Sequence, residues 1–271
     1  MDIREWPLSD AGSGITNDND STTVLMGLFP HWPAPDTVHA VSTLRGGGVS
    51  SGPYQGLNLG DHVGDTPDCV SENRLRLQRS LKLPSAPLWL SQVHGTTVID
   101  AYRPDGAVAS GRPQADATLT SEPGIVCAVL TADCLPLLFC DRQGTRVAAA
   151  HAGWRGLADG IIERTFEALG VPATELLVWM GPAIGAAVFE VGAEVHERFI
   201  RHDPTSQQAF RPVEQGRYLA DITLLARQRL QGLGVDAVYG GQWCTYSQPQ
   251  AFYSYRRDGV TGRMASLIWM S

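Results

Sequence analysis

The sequence predicts a single domain of the α/β class over residues 37–271, preceded by an irregular extension over residues 1–36. Short apolar runs typical of buried strands alternate irregularly with segments of helical periodicity. Neither an internal repeat nor a linker separates these segments. The length of 271 residues allows one large domain or two small ones. The unbroken alternation favours the single domain.

The N-terminal part of the chain combines an irregular segment with the first regular elements. Residues 9–20 are mostly small and polar and show little periodicity, so we expect an irregular extension there. Residues 38–43 predict a strand, and the three glycines that follow predict a loop. A helix is predicted to begin after Thr66, whose side chain can cap it, with Pro67 in the first turn, and to continue toward Leu81.

Four apolar runs have the length of buried strands, and they lie at residues 88–93, 124–130, 135–140 and 147–151. Residues whose side chains can bind a metal ion or take part in catalysis lie at or beside the ends of these runs. His94 directly follows the first run, Cys134 occupies the polar break before the third, and His151 ends the fourth. The strands are therefore expected to bring these three side chains to strand ends.

Two helices are predicted in the second half of the chain. The first carries apolar residues at helical spacing from Leu157 to Leu169 and is expected to stop at Gly170. The second begins after Asp221 and ends before Gly234.

Composition excludes several classes of protein. The net charge of −7 and the isoelectric point near 5.4 provide no positive field for nucleic acid. No apolar stretch reaches the roughly 18 residues of a membrane span, and the first residues lack a basic region followed by an apolar one. Five scattered cysteines are an odd number and fit reduced thiols better than disulfides. We therefore expect a soluble cytoplasmic protein.

One cysteine and two histidines form the candidate site. Three such ligands leave a fourth tetrahedral position open, as in catalytic zinc sites. The gaps of 40 residues from His94 to Cys134 and 17 residues from Cys134 to His151 match no local metal motif, so ordinary packing roles stay open. After His151, the turn into the next helix directs backbone N–H groups toward the space near Arg155, an arrangement suited to an anion. The alternative is a packed Trp154 with a solvated Arg155.

Several motifs together resemble the YfiH-like laccase-domain family, described as purine nucleoside phosphorylases. They occur in the family's order and lie at residues 42–49 (STLRGGGV), 57–65 (LNLGDHVGD), 92–95 (QVHG), 131–136 (TADCLP), 151–156 (HAGWRG), 181–185 (GPAIG) and 253–259 (YSYRRDG). The chain departs from the family pattern at residues 186–189 and at Ala226.

The resemblance implies a layered α/β (α+β) sandwich with mixed sheets flanked by helices, and a zinc ion held by His94, Cys134 and His151. It also implies phosphorolysis of adenosine, inosine and methylthioadenosine to the free base and ribose 1-phosphate. Adenosine deamination is attributed to the family as well. The expected partners are a purine nucleoside and phosphate, and the sequence does not indicate an oligomeric state.

Phosphorolysis requires a phosphate held beside the anomeric carbon and assistance for the departing purine. Arg155 is the first candidate for phosphate, Arg45 in its glycine-rich loop is the second, and Asn58 is a candidate contact for ribose hydroxyls.

Three other functions stay open. A copper-dependent polyphenol oxidase would use the same three ligands with Met180 or Met264 as a distant axial ligand, although the chain has no His-X-His pair of a multicopper oxidase. A metal-free hydrolase would use Cys134 as nucleophile and His94 or His151 as base. A non-catalytic metal-binding or interaction module is the third.

Overall fold

The chain forms two large sheets, one small sheet and six α-helices within residues 3–5, 25–101 and 111–271, which are the residues described by this computed structural model. The strands are β1 (Ile3–Glu5), β2 (Met26–Leu28), β3 (Val38–Thr43), β4 (Val98–Asp100), β5 (Ala117–Thr120), β6 (Cys127–Thr131), β7 (Leu135–Asp141), β8 (Val147–Ala152), β9 (Leu176–Met180), β10 (Glu190–Val191), β11 (Phe210–Pro212), β12 (Tyr218–Ala220), β13 (Val238–Gly240) and β14 (Met264–Met270). The α-helices are α1 (Pro67–Leu81), α2 (Trp154–Asp159), α3 (Ile161–Leu169), α4 (Ala193–His202), α5 (Ile222–Gly232) and α6 (Tyr255–Asp258). Short 3-10 helices lie at Gly52–Tyr54, Ala173–Glu175, Pro204–Ala209 and Glu214–Gly216.

The first large sheet is antiparallel throughout and has the strand order β1-β2-β3-β14-β6. Strand β14 lies between β3 and β6, so that Ser266 pairs with Ser42 on one side and Val129 on the other. This order brings the end of β6 close to the beginning of β14, where the cavity described below is located.

The second large sheet has the order β13-β9-β7-β8-β5-β4. It is mixed, because β13 is parallel to β9 and β4 is parallel to β5, whereas the inner pairs are antiparallel. The hairpin of β7 and β8 places Pro136 opposite His151. The third sheet, β10-β12-β11, is small and antiparallel.

The two large sheets pack face to face, with helices on both outer sides. Leu138 and Cys140 of β7 belong to the core between the sheets, whereas Leu137 and Phe139 face the core beneath helices α3 and α5. Helix α1 covers the other side of the first sheet through Leu77. Because both faces of β7 are buried, its sequence is apolar from Leu135 to Cys140 rather than alternating. The predicted layered α/β sandwich is confirmed.

The predicted strand at residues 88–93 is wrong. This segment makes only isolated bridges, between Leu88 and Cys127 and between Ser91 and Gln114. At its end the Gln92 side chain replaces a backbone ladder, because its amide donates to the Leu130 carbonyl at 2.8 Å and accepts from the Leu130 N–H at 2.7 Å.

The predicted continuous helix over residues 157–169 is divided into α2 and α3. Gly160 adopts φ 99°, and its N–H bonds back to the carbonyls of Gly156 and Leu157, which ends α2. The helix predicted after Thr66 and the helix predicted after Asp221 are confirmed as α1 and α5, although Thr66 makes no side-chain capping bond.

The N-terminal extension is not wholly irregular. Strands β1 and β2 pair with each other, and β2 continues the first sheet beside β3. The polar segment at residues 9–20 lies outside the described residues, and the division at residue 36 stays a prediction. Within the described ranges, no helix has both the length and the apolar character needed to cross a membrane.

Candidate active site

A cavity of about 500 Å³ opens where the ends of β6 and β8 meet the beginnings of β7 and α2. The structure brings His94, Cys134 and His151 together in its wall, as the sequence predicts. Their ligand-type atoms all lie within 4.8 Å of one another, and the two imidazole rings meet edge to face at 4.8 Å between centroids. These three residues form a group that could hold a metal ion.

The buried carboxylate of Asp116 holds both histidines in place. Its Oδ1 accepts from the backbone N–H of His94 and lies 2.9 Å from His151 Nδ1, while its Oδ2 accepts from the N–H groups of Val93 and Gly95. His94 itself sits in a loop with φ 59°, a backbone conformation that this carboxylate stabilises. The prediction that His94 ends a strand is therefore wrong. With Nδ1 engaged, His151 has Nε2 available as a ligand.

Gly153 provides the space that the three ligands occupy. A Cβ at this position would lie 2.6 Å from His94 Nδ1 and 3.1 Å from Cys134 Sγ. The absence of a side chain at Gly153 therefore permits the close approach of the ligands.

Charge in this group favours the thiolate form of the cysteine. Burial alone would raise the pKa of the Cys134 thiol, but the charge of His151 and hydrogen bonds with both histidines lower it to about 6. Burial alone would lower the pKa of His151, but the thiolate and Asp116 raise it to about 9. For Asp116, burial is outweighed by its bonds to His151 and the backbone, so its pKa is lowered. A thiolate facing an imidazolium is the state expected without a metal ion.

The donor set fits a zinc-type or copper-type ion. Thiolate and imidazole are soft to borderline ligands that these ions prefer, and three of them leave a coordination position toward the cavity. Asp116 would orient one ligand further, because it bonds Nδ1 of His151, the nitrogen that faces away from the ligand group. The residues present therefore fit a catalytic metal ion.

The other charged side chains in the described lining of the cavity are three arginines and one carboxylate whose oxygens already accept hydrogen bonds. Among the described residues that line the cavity, the one carboxylate is Asp133, whose oxygens accept from the Thr245 hydroxyl at 2.6 Å and the Arg256 N–H at 2.7 Å. Three arginines also line it, Arg155, Arg256 and Arg263. The cavity beside the proposed ligands is thus suited to an anion.

Arg155 lies at the start of a helix, as the sequence predicts, but this helix is shorter than predicted and Arg155 packs on a neighbouring ring. It stacks on Trp154 at 4.5 Å and is exposed, and it makes no hydrogen bond to any residue in the described ranges. Helix α2 has only six residues, so its dipole contributes less than the longer predicted helix would.

Neither Arg45 nor Asn58 lines this cavity. Arg45 lies in a separate glycine-lined hollow, where it donates to the Pro249 carbonyl at 2.9 Å and stacks on Tyr253. Asn58 is fully buried, and its amide bonds to Gly60, Asp65 and the Arg263 N–H. The predicted contacts of these two residues with phosphate and ribose find no support in this placement, because the side chain of Asn58 is already satisfied and Arg45 faces elsewhere.

Sequence reasoning missed Asp116 as a positioning group and gave no role to Arg256 or Arg263. Arg256 lies in the motif at residues 253–259, Arg263 follows that motif by four residues, and Asp116 comes directly before β5. A lone acid between alanines at a strand start was the available signal for Asp116.

Comparisons with known proteins show the family of the chain. A family model described as multi-copper polyphenol oxidoreductase laccase matches residues 39–271. Purine nucleoside phosphorylase PA4543 of Pseudomonas aeruginosa is 54% identical over 244 residues, covering 90% of this chain and 98% of that protein. Purine nucleoside phosphorylase YfiH of Escherichia coli K12 is 52% identical over 248 residues, covering 90% and 98%.

A solved structure shows the same fold. The crystal structure of protein NMB0706 from Neisseria meningitidis superposes with a TM-score of 0.86 at 49% identity, covering 90% of this chain and 99% of that one.

Proposed function

The chain belongs to the multi-copper polyphenol oxidoreductase laccase family, and from this membership together with the cavity we propose that it is a purine nucleoside phosphorylase. The proposed reaction cleaves the glycosidic bond of adenosine, inosine or methylthioadenosine with inorganic phosphate. Its products are the free purine and the ribose 1-phosphate, or the corresponding 5-methylthio sugar phosphate.

One observation carries this proposal: the group of His94, Cys134 and His151 lies in the same cavity as three arginines and no unengaged carboxylate among the described lining residues. Phosphate is an anion that offers only acceptors when fully ionised, so guanidinium groups are its natural partners. The relatives at 52% to 54% identity are named purine nucleoside phosphorylases, which supports the choice of nucleoside and phosphate as substrates.

We propose zinc as the ion of the group. When bound, zinc supplies a positive charge and an open coordination position that stabilise negative charge developing in the cavity. Asp116 keeps the His151 ring oriented by bonding Nδ1. Arg155 and Arg263 hold phosphate near the sugar, and the apolar side chains of Ile184 and Phe189 in the lining pack against the purine.

Copper-dependent oxidation of phenols is less well supported by the ligand geometry. Met180 and Met264, the two candidate axial ligands, do not line the cavity. Both are buried in the core, and the Met264 sulfur accepts a bond from the Tyr253 N–H at 3.1 Å. The proposal also does not extend to adenosine deamination, because Asp133, the one carboxylate in the described lining, has both oxygens engaged and is not placed to carry a proton.

The test is release of hypoxanthine from inosine, with and without phosphate, combined with elemental analysis of the purified protein. We expect phosphate-dependent release, about one zinc per chain by the three-ligand argument, and loss of both metal and activity in Cys134→Ala. Cys69→Ala, on helix α1 and outside the cavity, is the matched control and should behave as wild type. Release without phosphate, or full activity in metal-free protein, would overturn the proposal.

A further inference from the structure

A histidine at the mouth of the cavity has its tautomer set by a neighbouring arginine. His62 lines the cavity, and its Nδ1 lies 3.0 Å from an Arg112 guanidinium nitrogen. A guanidinium has donors and no acceptor, so Nδ1 of His62 must accept, and the ring proton must sit on Nε2. Asp61 lies further away, 3.5 Å from Nδ1, and its carboxylate is bound by Arg112 at 2.6 Å. The arrangement leaves His62 with an Nε2–H donor that has no partner among the described residues.

Charges around this ring oppose its protonation. Burial is the largest cause that lowers the pKa of His62, followed by the charges of Arg263 and Arg112, while Asp61 acts in the opposite direction. Arg74 of helix α1 approaches Asp61 at 3.5 Å and shares its negative charge. His62 is therefore neutral near pH 7 and offers its donor without adding a cation.

Arg263 lines the same cavity and is half-buried. Its Nη1 donates to the carbonyls of Thr261 and Gly262, which leaves Nε and Nη2 without a hydrogen-bond partner in the described ranges. A phosphate beside Arg263 accepts from these nitrogens. A neutral neighbouring donor adds one more hydrogen bond and, unlike a second charged group, does not repel the guanidinium.

We propose that His62, oriented by Arg112, donates its Nε2–H to inorganic phosphate bound beside Arg263. The inference rests on the proposed phosphorylase function and deepens it by placing the phosphate on the His62 side of the cavity. In these terms His62 is a binding residue, and Arg112 is a positioning residue that acts through it.

The first test compares His62→Ala and His62→Gln with wild type. Isothermal titration calorimetry measures the Kd of inorganic phosphate, and steady-state kinetics measure KM separately for phosphate and inosine. We expect His62→Ala to raise the Kd and KM of phosphate about tenfold, as for loss of a hydrogen bond to a charged group, and to change KM of inosine by less than about twofold. His62→Gln retains an N–H donor and is expected to recover most of the loss. His31→Ala, an exposed histidine outside the cavity, is the matched control.

The second test measures the Kd of phosphate for Arg112→Ala and for wild type over a range of pH. The ratio of the variant's Kd to the wild-type Kd is then compared across pH, because the ionisation of phosphate itself cancels in this ratio. Without Arg112 the pKa of His62 rises, and at high pH the proton is no longer confined to Nε2. We expect a ratio that is largest near about pH 8 and decreases toward about pH 6, where the ring becomes protonated and donates again. A ratio independent of pH would contradict the positioning role.

The outcomes separate this inference from the proposed function. If wild type cleaves inosine with phosphate but His62→Ala binds phosphate as wild type does, the inference is wrong and the function stands. If phosphate binding depends on His62 but no nucleoside is cleaved, the function is wrong and the phosphate site stands. If wild-type protein binds no phosphate, both are wrong.

Discussion

Gly153→Ala changes the space around the proposed metal ligands without changing any ligand. Gly153 has φ −63° and ψ 156°, an extended conformation that alanine adopts freely, so the substitution introduces no backbone strain. Its whole effect comes from the added Cβ, which would meet His94 Nδ1 at 2.6 Å and Cys134 Sγ at 3.1 Å.

The size of the effect follows from these distances. Ordinary contact with a Cβ begins at 3.4 Å, so the His94 ring must move by 3.4 minus 2.6, or 0.8 Å. Metal–ligand distances tolerate only about 0.2 Å, and disturbing the support of a ligand typically costs 10–100-fold in affinity. We expect zinc affinity to fall by roughly that factor, which equals about 1.4–2.8 kcal/mol.

The assay is competition for zinc against a chromophoric chelator, followed by elemental analysis after dialysis. Gly232→Ala is the control, because a Cβ at that position at the end of α5 meets nothing within 4 Å. It should keep wild-type affinity. Wild-type affinity in Gly153→Ala would refute the idea that the three side chains converge on one ion beside Gly153.

Three further predictions concern Asp116, Cys134 and the ion pair of Arg229 with Glu163. Asp116→Asn places an amide NH₂ among N–H donors and should lower zinc affinity about 10–100-fold, measured by the same competition assay; unchanged affinity would exclude its positioning role. In metal-free protein, iodoacetamide should label Cys134, whose pKa is about 6, far faster than Cys127, whose pKa burial raises to about 12. Mass spectrometry should show this labelling declining below about pH 6, since the thiolate is lost there, and blocked by zinc; labelling unaffected by zinc would instead favour the metal-free hydrolase. Arg229→Ala leaves the partly buried Glu163 without its 2.8 Å partner and should destabilise folding by roughly 2 kcal/mol in urea unfolding, with enzyme activity per folded molecule unchanged.

The parts of the structure that depend on local sequence could be predicted. The β7–β8 hairpin is formed from adjacent segments, so the apolar runs on either side of its turn were sufficient to place Cys134 and His151 near each other. Helix α1 was equally accessible, because its apolar spacing and Pro67 lie within one short window.

Features that depend on distant pairing could not be predicted in this way. Arg263 reaches the cavity because β14 inserts between β3 and β6, an order that no local pattern encodes. The pairing of the Gln92 side chain with the Leu130 backbone imitates a strand, and apolar periodicity does not distinguish the two. The sequence does not show that the Asn58 side chain is engaged within its own loop, where it bonds to Asp65 and to the N–H of Gly60.

Asp116 has a consequence for how the protein would acquire the proposed ion. The two histidines are 57 residues apart in the chain, and a carboxylate rather than a metal ion holds the loop of one against the ring of the other. The fold itself therefore arranges the three proposed ligands, and an ion bound there would exchange without unfolding of the chain. Copper(II) generally binds such nitrogen and sulfur sites more tightly than zinc, so the supply of ions during growth and purification would determine which metal occupies the proposed site. Preparations of the same chain that were exposed to different metal ions would then differ in bound metal. The metal content of each preparation must therefore be measured together with its activity.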